Sequence, residues 1–174
     1  IDMPSGGTLS RRNEIIKADK SRCITQIVNE DTLCLTRAIL VGISSYSQEK
    51  LEEIFKDNLT KNEIDGINYK RRKENYTKIN EGIISVFFLM ILRPPRSTLL
   101  TTLANAFHRI YEIPIREYGN NLQDAHDIAS KIGIQINIYS HDRLLIFSTE
   151  QKEIKVHLLI TAGEKPHFDA ITKI

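Results

Sequence analysis

The sequence predicts an α+β fold, with helices packed on a small, mostly antiparallel sheet, and three observations point there. Apolar residues recur at helical spacing after Cys34, through residues 103–111 and again through 122–132. Short β-branched runs separated by turn residues crowd the C-terminal end. Helices come first and strands last, which favours segregated layers over a βαβ alternation. A chain of 174 residues suits one domain with its own core.

Each element has a local reason. Residues 1–9 are rich in Gly and Ser and read as loose, and residues 10–20 as a short polar helix. A strand over 24–28 is broken by the turn chemistry of Asn29-Glu30-Asp31. From Cys34, the spacing of Leu35, Ala38, Ile39 and Ile43 predicts a helix with one buried face, weakened at its far end by Gly42 and Ser44-Ser45. Ser47 is a capping residue for a second helix that turns Leu51, Ile54 and Phe55 inward.

Residues 58–80 are polar and read as a solvated loop; the basic cluster Lys70 to Lys73 leaves a nucleic-acid patch as a minor alternative. Residues 86–103 are out of character with their surroundings. They resemble a translated sequencing-adapter read-through, or else a buried strand ended by Pro94-Pro95. The stripe Leu103, Ala106, Phe107, Ile110, Tyr111 is helical and stops before Pro114. Asn121 caps a helix that turns Leu122, Ala125, Ala129 and Ile132 inward, and Gly133 ends it. Strands over 134–139, 144–148 and 154–161 are expected to form an antiparallel meander, with a last strand at 167–172.

Composition narrows the function. A net charge of +2 is close to balance, so no nucleic-acid partner is expected. The apolar run at 83–92 is half a membrane span, and no membrane partner is expected. Cys23 and Cys34 lack metal-type spacing and a leader ahead of them, so free thiols and an intracellular setting, cytoplasm or nucleus, are the expectation. Histidine spacing supports no zinc site, and no glycine-rich phosphate loop is present; no metal and no cofactor are expected. The chain begins at Ile1 and reads as a piece of something longer. Nothing in it bears on oligomeric state.

One constellation carries chemistry. Asp31-Thr32-Leu33-Cys34-Leu35-Thr36-Arg37-Ala38 places a cysteine at the start of a helix behind a polar turn, and His167-Phe168-Asp169 follows far downstream. An unperturbed thiol is only about 3% ionised at neutral pH. A helix N-terminus and an imidazolium both favour the anion. Residues 167 and 169 of a strand share a face, so the carboxylate can orient the ring. The bland readings stay open beside this one: Cys34 as a small buried hydrophobe, His167 as a surface residue at a strand start. Cys23 reads as structural, and His108, His126, His141 and His157 carry no comparable pattern.

The order of these parts is that of a papain-like cysteine hydrolase. Asp31-x-x-Cys34-Leu35-x-Arg37-Ala38 resembles the catalytic block D-G-N-C-[LF]-x-R-[AS] of ovarian-tumour (OTU) type deubiquitinases, and His167-Phe168-Asp169 resembles their closing H-[YFW]-[DN]. The resemblance implies a papain-like/OTU-like fold and a cysteine isopeptidase acting on ubiquitin or ubiquitin-like conjugates. It makes Cys34 the nucleophile, His167 the general base and acid, Asp169 its orienter and Asp31 the acid that shapes the loop before the nucleophile. Such domains also occur in proteins of mobile elements and large DNA viruses. Thr32-Leu33 departs from the family's Gly-Asn, and a glycine there permits a tight turn. A catalytically silent OTU-like binding or assembly domain is the alternative.

Overall fold

The computed structural model describes residues 24, 25, 27, 31–73, 98–161 and 167–172. The expected helix at 10–20, Cys23 and residues 86–97 of the out-of-character segment lie outside these. In chain order the elements are β1 (Ile24–Thr25), α1 (Cys34–Tyr46), α2 (Gln48–Phe55), α3 (Lys61–Lys73), α4 (Thr98–Tyr111), α5 (Leu122–Ile132), β2 (Gln135–Tyr139), β3 (Leu145–Ser148), β4 (Lys155–Thr161) and β5 (His167–Ile171). The architecture is α+β. The sheet has the order β1-β5-β4-β2-β3.

Local chemistry accounts for most boundaries. The Ser47 hydroxyl accepts the Lys50 N–H at 3.2 Å and starts α2. Asn121 and Asp124 form a reciprocal capping box at α5, and Gly133 ends that helix at φ 71°. Two expectations are revised. Residues 61–73, read as loop, form α3, because Thr60 and Glu63 make their own capping box (Glu63 N–H to Thr60 Oγ1 at 3.2 Å, Thr60 N–H to Glu63 Oε1 at 2.7 Å) and Ile67 is buried. The last strands are not a meander. β2 and β3 form a hairpin, but β4 returns beside β2 in parallel and pairs with β5 antiparallel. Burial explains the choice: β4 holds Val156, Leu158, Leu159 and Ile160 in the interior, whereas β3 has no buried residue and takes the edge.

The helix α1 is the axis of the core. It was expected to bury one face; every residue from Cys34 to Ser44 is buried instead. Helices α2 and α4 and strands β4 and β5 surround it. Its polar members are satisfied inside: Thr36 meets His108, Arg37 meets Asp31 and Thr101, and Ser44 Oγ donates to Val41 O. Gly42 does not weaken the helix end. A Cβ there would sit 2.6 Å from Val156 Cγ1, so glycine is what lets α1 approach β4. Leu100 and Leu103, at the end of the out-of-character segment, are fully buried in α4.

Candidate active site

The loop before α1 is built by Asp31. Its Oδ1 accepts the Leu33 N–H at 3.0 Å, an Asx-type turn, and its carboxylate takes a two-pronged bond from Arg37 (Nη2 to Oδ2 2.6 Å, Nε to Oδ1 3.3 Å). Arg37 Nη2 also donates to Thr101 Oγ1 at 2.7 Å, tying loop and helix to α4. Leu33 is buried and precedes the helix with φ −101° and no side-chain cap. The residues with positive φ among those described are Asp57, Glu112, Arg143, Gly119 and Gly133. Thr32 and Leu33 are therefore not in the left-handed region, and the turn needs no glycine.

Cys34 is the first residue of α1 and is buried, its sulfur in no disulfide. The first intrahelical bond runs from Arg37 N–H to Leu33 O at 2.9 Å. The N–H groups of Cys34, Leu35 and Thr36 precede it and have no carbonyl four residues back within the helix. These are donors of the kind that hold a developing oxyanion.

His167 opens β5. Its Nε2–H donates to Asp169 Oδ1 at 3.2 Å, and that oxygen also accepts the Ile27 N–H at 2.8 Å. Phe168 and Ala170 point the other way, into the core opposite Ile160 and Leu158. The hydrogen bond to buried Asp169 raises the His167 pKa to about 10, and a hydrogen bond with Cys34 adds to it against the opposing effect of burial. With Nε2 turned to the carboxylate, Nδ1 is the ring nitrogen left for the thiol. Cys34, His167 and Asp169 thus come together at one end of the sheet, while Asp31 stands behind Cys34 and faces Arg37.

Two features were not foreseen. His108 is buried in α4, with Nδ1 2.9 Å from Ile113 O and Nε2 2.6 Å from Thr36 Oγ1. Burial lowers its pKa, so the neutral ring donates from Nδ1 to the carbonyl and accepts the Thr36 hydroxyl. The signal for it was faint: His108 follows Ala104 by four residues on the apolar stripe of α4. The second is the loop 113–121. Asp124, 1% exposed, accepts Arg116 Nε and Nη2 at 2.7 and 2.9 Å, Asn120 Nδ2 at 3.0 Å and the Asn121 N–H at 3.0 Å. This loop abuts the loop that precedes Cys34, since a Cβ on Gly119 would lie 3.7 Å from Thr32 O.

The remaining histidines stand apart. His157 shares a hydrogen bond with Tyr139 at 3.1 Å, and burial and then Lys155 lower its pKa; His126 is on the outer face of α5. Among the described residues no group of three or more His, Cys, Asp or Glu could hold a metal ion, and no helix is long and apolar enough to cross a membrane.

No family model matches the chain, and no curated protein matches it. Among solved structures it is similar to one described as "Structure of OTUD1 OTU domain", at 10% identity over 94% of each chain and a TM-score of 0.36. That likeness is too faint to carry an argument.

Proposed function

We propose that the chain is a cysteine isopeptidase of OTU-like type, cleaving ubiquitin or a ubiquitin-like modifier from its conjugates. One observation carries this: the His167 ring is hydrogen-bonded to Asp169 and to Cys34, the residue that begins a buried helix. In the reaction, the Cys34 thiolate adds to the carbonyl carbon of the modifier's C-terminal glycine. The oxyanion is received by N–H groups of the first turn of α1. The tetrahedral intermediate collapses, the C–N bond breaks, and the His167 imidazolium protonates the departing lysine amine. Neutral His167 then takes a proton from water, whose oxygen attacks the thioester and releases the modifier's carboxylate and the thiol. Asp169 holds the ring in the tautomer that directs Nδ1 to sulfur. Asp31 acts on the loop, through the Leu33 N–H and Arg37, and touches no reacting atom.

The burial of Cys34, 8% exposed, favours a second reading, a silent OTU-like binding domain. Reaction with a ubiquitin probe bearing a C-terminal electrophile separates the two. Labelling that Cys34→Ala abolishes and His167→Ala greatly slows supports the isopeptidase. A folded chain that stays unlabelled favours the silent domain.

A further inference from the structure

Two buried polar side chains take no part in the proposed reaction: Thr36, 0% exposed, and His108, 4% exposed. They meet at 2.6 Å, Thr36 Oγ1 to His108 Nε2, across 72 residues of chain. Thr36 lies in the first turn of α1, two residues after Cys34. Its N–H is one of the three donors that precede the first intrahelical bond. A threonine in a helix ordinarily returns its hydroxyl to a carbonyl three or four residues back. Here the hydroxyl reaches α4.

The ring it reaches is aimed by its own surroundings. Helix α4 ends at Tyr111, and Glu112 takes φ 56°, a left-handed conformation seldom adopted by residues other than glycine. This reversal brings Ile113 back over the helix end. The Ile113 N–H donates to His108 O at 3.1 Å, and its carbonyl accepts His108 Nδ1–H at 2.9 Å. The turn thus fixes the tautomer and leaves Nε2 an acceptor, directed at α1. Burial holds the ring's pKa below 6.5 against the raising influence of the Ile113 and Pro114 backbone, Asp124 and Asp31, so the acceptor is present at neutral pH. An aliphatic side chain could fill this place without desolvating an imidazole. What the histidine adds is direction: one nitrogen is held by the end of its own helix, and the other holds the first turn of α1.

We infer that His108 is a positioning residue for the proposed isopeptidase: by taking the Thr36 hydroxyl it sets the first turn of α1, whose N–H groups receive the oxyanion. The inference rests on that reading. His108 acts only through Thr36 and touches no reacting atom. Stabilisation of a tetrahedral intermediate depends on it, whereas the reactivity of the sulfur as such does not.

The test sets two reactions of Cys34 side by side. Alkylation by iodoacetamide displaces iodide from a saturated carbon and develops no oxyanion, so it reports the thiolate alone. Hydrolysis of a ubiquitin C-terminal aminocoumarin amide passes through the oxyanion. Thr36→Val keeps the shape and removes the hydroxyl. It should lower kcat for the amide about tenfold, for donors displaced by a fraction of an ångström, with the alkylation rate constant unchanged. His108→Gln, whose Oε1 can stand in for Nε2, should keep most of kcat. His108→Asn, whose Nδ2 can keep only the bond to Ile113 O, should fall as Thr36→Val does. A wild-type kcat in Thr36→Val overturns the inference and leaves the isopeptidase intact. So does a parallel fall of hydrolysis and alkylation in all three variants, which makes the bond a packing contact. A wild type that is alkylated at Cys34 yet hydrolyses no ubiquitin amide overturns the isopeptidase reading, and this inference with it.

Discussion

Two aspartate–arginine pairs buttress two neighbouring loops at the same end of this molecule, and their burial is inverted. In the pair behind Cys34, the arginine is inside and the acid at the surface: side-chain exposure is 5% for Arg37 and 32% for Asp31. In the pair that shapes the loop 113–121, the acid is inside and the arginine outside, at 1% for Asp124 and 45% for Arg116. The buried member sets the cost of breaking a pair, because it cannot turn to water. It also decides how many partners are needed. Arg37 has Asp31 and Thr101, whereas Asp124 collects donors from Arg116, Asn120 and Asn121. The first device is rigid and brittle, and the second is redundant.

The comparison can be broken most directly at Asp31. Asp31→Ala strands the Arg37 guanidinium in the core and frees the Leu33 N–H. We expect a loss on the order of 3 kcal/mol, the lower end for a buried charge left unpaired, since Asp31 itself is partly solvated. Urea denaturation would measure it, and activity should fall with it. Asp31→Ala at no cost in stability would show that Arg37 finds water and that the asymmetry has no energetic meaning. Next comes Asp124→Ala, which removes the capping box and the bonds from Arg116, Asn120 and Asn121 that gather the loop. About 2 kcal/mol is expected in urea denaturation. Asp124→Asn should retain part of that stability.

Titration sharpens the contrast. Burial works against ionisation of Asp124, yet hydrogen bonds from Arg116, Asn121 and Asn120 hold its pKa below the ordinary value of 3.8. Its contribution to stability is therefore present above about pH 3.8 and is lost as pH falls through the lowered pKa. His167 runs the opposite way. Its pKa is raised, so its contribution is full below about pH 6.5 and disappears as pH rises through about 10. A pH–rate profile should lose activity on that alkaline side, and Asp169→Asn should move the limb to lower pH, since Asp169 is the leading cause of the shift. A limb that stays put would detach Asp169 from the ring. The smallest effect belongs to Arg116→Ala: Asp124 keeps its other donors, and the denaturation midpoint should barely move.

The same distinction between local and collected interactions separates what was legible in the sequence from what was not. Ser47, Asn121 and Gly133 announce helix ends because a cap needs only its neighbours in the chain, and the strand at His167 follows from alternation alone. The face shared by His167 and Asp169 was readable for that reason. The all-round burial of α1 was not, since it depends on which four elements close round it. Neither was the parallel pairing of β2 with β4, which is decided by competition between β3 and β4 for the interior. His108 was missed because its partners, Thr36 and Ile113, come from a different helix and from the loop beyond its own. The capping box of α3 was local, and polar composition hid it.

Gly42 ties these regions to chemistry. It lies eight residues after Cys34, about 12 Å along a straight rod, where α1 touches Val156 with no room for a methyl group. Cys34 is thus one tip of a lever whose fulcrum rests on β4, and His167 is mounted on β5, the next strand. The sheet serves as a common ruler for sulfur and imidazole, and the loops inherit the spacing it sets. Gly42→Ala would lift the rod from its seat and widen the gap between Cys34 and His167 while altering neither, and on the proposed isopeptidase reading it would slow the reaction at a site that still holds all its parts.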